Sequence, residues 1–204
     1  TIILKNTPFV QDVYTMINLL KFIGLNIEIS KNINTLKISR KKNLKTIAPY
    51  ALLKTMRAGV LVLGPLLAKC KKAKVSLPGG CAIGTRPVNL HLFALEKLGA
   101  DIKIKNGYIH ASAKDGLKGT SIKFPSISVG ATESAILAAV SASGKTVISN
   151  CAIEPEIQDM IFFLKKMGCN INFIGKRKIL IIGTKKLKST THQIIFDRIE
   201  LGTY

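Results

Sequence analysis

The chain has 204 residues and a formal charge of +20, from 31 lysines and arginines against 11 acidic residues. With 47% hydrophobic and 21% charged residues it has a globular composition, which excludes a disordered chain. The longest apolar stretch, 58–68, is well short of the ~20 residues of a membrane span, residues 1–24 lack the pattern of a secretory leader, and no C-x-x-C pair or His/Cys cluster points to zinc or another metal.

The elements can be read in chain order. Residues 1–5 form a strand. Residues 16–23 form an amphipathic helix with Leu19, Phe22 and Ile23 on one face, stopped by Gly24. Strands follow at 25–29 and 35–39. An apolar helix over 51–68 leads to a strand at 74–77, a glycine-rich loop, a helix ending at Gly99, and strands at 100–104 and 108–112 joined by Asn106-Gly107, a hairpin signal. A strand at 121–124, an apolar helix at 131–142, a strand at 146–150 and a loop at 151–155 precede a helix stopped by Gly168. Strands at 169–173 and 179–182 follow, and a last one is expected at 193–196.

This order contains an internal repeat. The segments starting at Met16, His91 and Met160 each read as helix, glycine stop and alternating strand. The full unit is βαβαββ, so the fold class is α/β. The first unit lacks its leading strand and helix. Residues 195–203 parallel 123–131, so a further unit has only begun. The expectation is a fragment of a longer protein, cut inside repeats at both ends.

Two strand-to-helix loops could carry chemistry. In Gly79-Gly80-Cys81-Ala82-Ile83-Gly84 the glycines permit sharp bends, and Cys81 is a nucleophile or acid when cations lower its pKa. Arg86 and Pro87 then open a helix whose N-terminus favours an anion. The competing reading is an inert cysteine in a glycine loop. Ser126-Ile127-Ser128-Val129-Gly130 could cradle phosphate with hydroxyls and backbone N–H groups, or Ser128 could simply cap the next helix. Arg57 stands at the edge of an apolar helix, facing either an acid or an anionic ligand. Glu154 and Glu156 are either a carboxylate pair or helix-capping acids. His91, His110 and His192 form no triad pattern, and no dinucleotide or Walker loop appears, so no cofactor is expected. Cys70, Cys151 and Cys169 are widely spaced, as in a protein of the reducing cytoplasm. The lysines are spread along the chain, aromatics are 6% and there is no Trp, so the charge suggests anionic ligands more than a nucleic-acid partner.

Five motifs in register carry a family resemblance: Lys54-Thr55-Met56-Arg57-Ala58, residues 77–91 around Cys81, Ser128-Val129-Gly130-Ala131-Thr132, Glu154-Pro155-Glu156 and Asp197-Arg198-Ile199-Glu200-Leu201-Gly202-Thr203. Together they resemble the enolpyruvyl transferase family, in particular the UDP-N-acetylglucosamine 1-carboxyvinyltransferases. The resemblance implies an inside-out α/β barrel fold of two domains, each of three βαβαββ units, with the active site between them. Residues 1–196 would be the loop-bearing domain and 197–204 the start of the crossover into the second domain. It implies transfer of enolpyruvate from phosphoenolpyruvate to the 3-hydroxyl of UDP-N-acetylglucosamine, the first committed step of peptidoglycan synthesis, with no nucleic acid or membrane partner. Cys81 would be the general acid. Arg57 and Arg86 would meet ligand anions, Pro87, Val88, Asn89 and Leu90 the nucleotide sugar, and Ser126, Ile127, Ser128 and Val129 the diphosphate. Ser126 departs from the family's usual Lys and Asn89 from its usual Asp. Half of the cleft would be missing, so this chain alone is expected to be inactive. The alternatives are a shikimate-type enolpyruvyl transferase and a basic nucleic-acid-binding repeat protein.

Overall fold

A computed structural model describes residues 1–40, 43–79, 88–197 and 202. The first unit runs β1 (Ile2–Lys5), α1 (Gln11–Ile23), β2 (Leu25–Ser30) and β3 (Thr35–Arg40). Gly24 ends α1 at φ 118°, and its N–H donates to the carbonyls of Leu20 and Lys21. A residue with a Cβ adopts that left-handed conformation only under strain.

The second unit opens on β4 (Ile47–Ala48), a two-residue strand that the sequence pattern does not reveal. The single helix expected over 51–68 is broken: α2 (Tyr50–Leu53), a 3-10 turn (Arg57–Val62) and α3 (Leu63–Cys70) take its place. The break is a local reversal of the chain. The chain folds back so closely that a Cβ on Gly59 would come within 2.7 Å of Leu53 Cγ. Pro65 then falls in the first turn of α3, where its missing N–H costs nothing. The unit continues through β5 (Lys72–Ser76), α4 (Asn89–Lys97), β6 (Asp101–Lys105) and β7 (Tyr108–Ser112). The Asn106-Gly107 hairpin forms as expected, with φ of 51° and 72°.

The third unit is β8 (Ser121–Lys123), α5 (Val129–Ala139), β9 (Lys145–Ser149), α6 (Pro155–Lys166), β10 (Asn170–Gly175) and β11 (Lys178–Ile182). It is followed by β12 (Thr190–Gln193), three residues earlier than expected. The pairing partner explains the shift. Thr190 to Gln193 align in parallel with Ile2 to Lys5 of β1, and tertiary pairing overrides the higher strand propensity of Ile194-Ile195-Phe196. The leading strand expected to be missing from the first unit is therefore supplied by the far end of the chain.

Each unit contributes one four-stranded sheet of the same order: β12-β1-β3-β2, β4-β5-β7-β6 and β8-β9-β11-β10. Ile27 and Leu36 of the first sheet pack with Ile17 of α1 in a cluster of their own, while the inward faces of the second and third sheets, with Val75, Ile109, Ile148, Ile179 and Ile181 all fully buried, close on a shared core of helices. At its centre is α5, where Ala131, Ala135, Ile136, Ala138 and Ala139 are all buried. These small residues let α3 approach closely, and a Cβ on Gly64 would lie 3.2 Å from that of Ala138. Truncating a side chain of this core such as Leu67 removes about 2–5 kcal/mol. No helix among the described residues is long and apolar enough to cross a membrane.

Candidate functional site

In the second and third sheets the two parallel strands each feed a helix, so the strand-to-helix loops of one sheet leave along one edge. Gly79, the last described residue before Cys81, lies against the turn that leads into Arg57. A Cβ at position 79 would collide with the Lys54 carbonyl oxygen, so the sequence needs glycine there for space. Cys81, Arg86 and Pro87 lie outside the described residues. On the far side, Val88 is buried in the core, Asn89 is exposed and Leu90 is half-buried. The Val88 side chain is thus spent on the core, leaving its backbone and Asn89 on the open side.

One turn further, His91 is buried, and its Nδ1 lies 2.7 Å from Ser134 Oγ on α5. Burial, and secondly the positive charge of Arg57, lower its pKa from 6.5 to about 4. At neutral pH this imidazole is uncharged and holds α4 to α5. Its ring edge rests on Gly130, where a Cβ would sit 2.9 Å from His91 Cε1. His91 thereby ties α4 to the first turn of α5.

At that turn Ser126 and Ile127 are exposed, and Ser128 and Val129 lead into the helix. Ser128 is the cap: its Oγ accepts from the Ala131 N–H at 3.3 Å. Thr132 Oγ1 donates to the Ser128 carbonyl at 2.7 Å and accepts from the Ala152 N–H at 3.0 Å. These bonds pin the loop before α6 to α5. The N–H groups of a first helical turn have no partner within the helix, and in α5 that of Ala131 is taken by Ser128.

The acids are placed differently from one another. Glu154 is the N-cap residue of α6, and its Oε2 accepts from the Ile153 N–H at 2.7 Å. Glu133 on α5 is pushed from 4.5 up to about 7 by burial and then by the charge of Glu156 in the first turn of α6. A group tuned there can hold or release a proton near neutrality. Glu133 and Ser134 escape a motif search, and His91 stands at the end of the 77–91 motif without its role showing, because each meets its partner only across helices. The available signal is helical spacing, which puts Ser134 one turn above Gly130. Burial pushes the Cys151 and Cys169 thiols up, which makes them unreactive.

Residues 1–204 match the model of the EPSP synthase (3-phosphoshikimate 1-carboxyvinyltransferase) family, and the chain belongs to that family. It is 59% identical over 201 residues to UDP-N-acetylglucosamine 1-carboxyvinyltransferase of Pelagibacter ubique, covering 98% of this chain and 48% of that protein. It is 54% identical over 203 residues to the protein of the same name from Vesicomyosocius okutanii, covering 100% and 48%. The chain thus spans about half the length of the curated relatives it matches. Among solved structures it superposes on the enolpyruvyl transferase NikO from Streptomyces tendae with a TM-score of 0.87 at 18% identity, covering 99% of this chain and 48% of that one. EPSP synthase from Acinetobacter baumannii gives 0.72 at 19% identity, covering 95% and 44%. The fold is therefore that of the enolpyruvyl transferases, with helices inside and sheets outside.

Proposed function

We propose that this chain is the loop-bearing part of a transferase that moves enolpyruvate from phosphoenolpyruvate to the 3-hydroxyl of UDP-N-acetylglucosamine and releases phosphate. In this reading it works in the cytoplasm, at the first committed step of peptidoglycan synthesis. The observation that carries it is identity of 59% and 54%, along nearly the whole chain, to two relatives of that name. In this reading residues 1–196 are one domain, a bound that the completion of the first sheet by β12 at Gln193 supports, and 197–204 belong to the crossover into a second.

Cys81 protonates the methylene carbon of phosphoenolpyruvate while the sugar hydroxyl bonds to the neighbouring carbon and gives up its proton to a base. Loss of a proton from the new methyl group then expels phosphate and restores the double bond. Arg57 and Arg86 hold the anionic groups, Pro87 to Leu90 the nucleotide sugar, and the Ser126 to Val129 end of α5 the diphosphate. The uncharged His91 supports this reading, because it fixes the α5 end beside Arg57 without adding a titrating charge.

The test is phosphate release from phosphoenolpyruvate by the protein encoded with its flanking sequence. Release should require UDP-N-acetylglucosamine and fall about 100-fold or more in Cys81→Ser. UDP-N-acetylglucosamine should also slow alkylation of Cys81. Release that instead requires shikimate 3-phosphate would make this a shikimate-type enzyme, and unchanged rates in Cys81→Ser would remove the thiol from the reaction.

A further inference from the structure

The three sheets are built alike, and the middle outward-facing row of each can be compared strand by strand. In the first sheet that row contains Thr191, Ile3, Lys37 and Glu28, and Lys37 Nζ lies 3.2 Å from Glu28 Oε2. In the third it contains Ser121, Val147, Leu180 and Asn172 and has no charge. In the second it contains Ile47, Lys74, His110 and Lys103. Lys74 and Lys103 thus flank His110 directly on both sides. Lys74 and Lys103 are two strands apart, and no acid stands in the row to offset either of them. Lys72 adds a further ammonium in the next row, opposite Ser112, with Asp101 beyond it.

These side chains line a depression of about 340 Å³ on the outer face of the sheet. That volume is in the range of small-molecule sites. Adjacent strands are about 4.8 Å apart, so the row spans roughly 10 Å, longer than a single phosphate and suited to two or three in line. Lys74 Nζ lies 4.6 Å above the Tyr108 ring, a contact that holds the ammonium in place over the sheet. Asp101 bounds the depression on one side, so an anion would sit toward the Lys74–His110–Lys103 row. No acid lies within ion-pair distance of Lys72, Lys74 or Lys103 among the described residues.

We propose that the outer face of the β4-β5-β7-β6 sheet binds a small anion carrying two or more phosphate groups, held by Lys74, His110 and Lys103. The site lies on the outside of the sheet, away from the helix N-termini described above. Its chemistry fits a free oligophosphate and the phosphate chain of a nucleotide equally, because only the phosphates meet the cations.

The test is calorimetric titration of the chain with inorganic tripolyphosphate at low salt, with backbone amide NMR shifts locating the site. Tripolyphosphate should move the amides of β5, β6 and β7. The K74Q/K103Q double variant should weaken this binding by about tenfold or more, and K74R/K103R should retain it. The glutamine variant keeps the apolar stems over the sheet and loses only the partly exposed Lys74–Tyr108 contact, so its thermal midpoint should change little. Adenosine triphosphate should bind about as tightly as tripolyphosphate if the phosphates alone are recognised, and a nucleotide that binds far more tightly would identify it as the source. Three results would overturn the proposal: unchanged affinity in K74Q/K103Q, shifts confined to the α4 and α5 N-termini, or a short RNA that binds this face more tightly than tripolyphosphate and loses that binding in the variant.

Discussion

His192 Nε2 lies 3.0 Å from both carboxylate oxygens of Asp159. The pair ties β12, the strand that completes the first sheet, to α6 of the third unit. The Phe163 ring centroid is 5.0 Å and that of Phe162 6.0 Å from the imidazole, and His192 is 3% exposed. The hydrogen bonds therefore form largely out of water. Asp159→Ala should cost about 2 kcal/mol, since it leaves a buried imidazole with both nitrogens unpaired. The double variant Asp159→Ala/His192→Phe should recover part of that loss, because two apolar groups leave nothing unpaired. Urea midpoints measure both, and equal losses in the single and double variants would contradict the account.

Glu133 gives a pH signature. Its pKa is raised by burial and then by Glu156, so the folded chain binds this proton more tightly than the unfolded chain does. Stability from this group is fully present below the ordinary carboxylate pKa and is lost as pH rises toward about 7. Glu133→Gln should match the parent at pH 4 and exceed it at pH 8 by about 1 kcal/mol, a figure reduced for partial exposure to solvent. Urea melts at the two pH values decide this, and a gap independent of pH would count against it.

His91 has the opposite sign. Its pKa is lowered to about 4, first by burial and then by Arg57. Its contribution is complete above pH 6.5 and declines as pH falls toward 4, because only the unfolded chain takes up the proton over that window. In proton NMR its ring resonances should stay unshifted down to about pH 5. Arg57→Gln should raise the titration midpoint by removing the second cause. Ser134→Ala should cost about 1–2 kcal/mol by orphaning Nδ1.

Gly130→Ala would ordinarily favour a helix by about 1 kcal/mol. Here it should destabilise instead, by about 1–2 kcal/mol, because the added methyl meets the His91 ring at 2.9 Å. In a double-mutant cycle with His91→Ala the penalty at 130 should largely vanish. Additive losses would mean that the ring is not what glycine accommodates.

The repeated helix, glycine and strand were legible in the sequence because Gly24, Gly99 and Gly168 hold local conformations, at φ 118°, 94° and 91°. The break in the apolar stretch 51–68 was not, since it follows from Gly59 folding back on Leu53 and leaves no mark in an apolar pattern. The two residues of β4 give too little alternation to read, and the position of β12 depends on a partner nearly the whole chain away. At the candidate site the residues of the strand-to-helix loops stood out as motifs. The His91–Ser134 pair did not, because its members are 43 positions apart and meet only once α4 lies on α5.

That β1 should pair with β12 also sets a timetable for the ribosome. Ile2 is made well before its parallel partner Thr190, which follows 188 residues later. At about 5–20 residues per second this leaves an open sheet edge waiting for roughly ten to forty seconds. During that interval Ile2, Ile3 and Leu4 present unpaired backbone groups that another strand could capture. Protection of this edge during synthesis, by a chaperone or by slow release, therefore bears on the yield of folded protein, and slowing translation should expose the nascent chain to aggregation for longer.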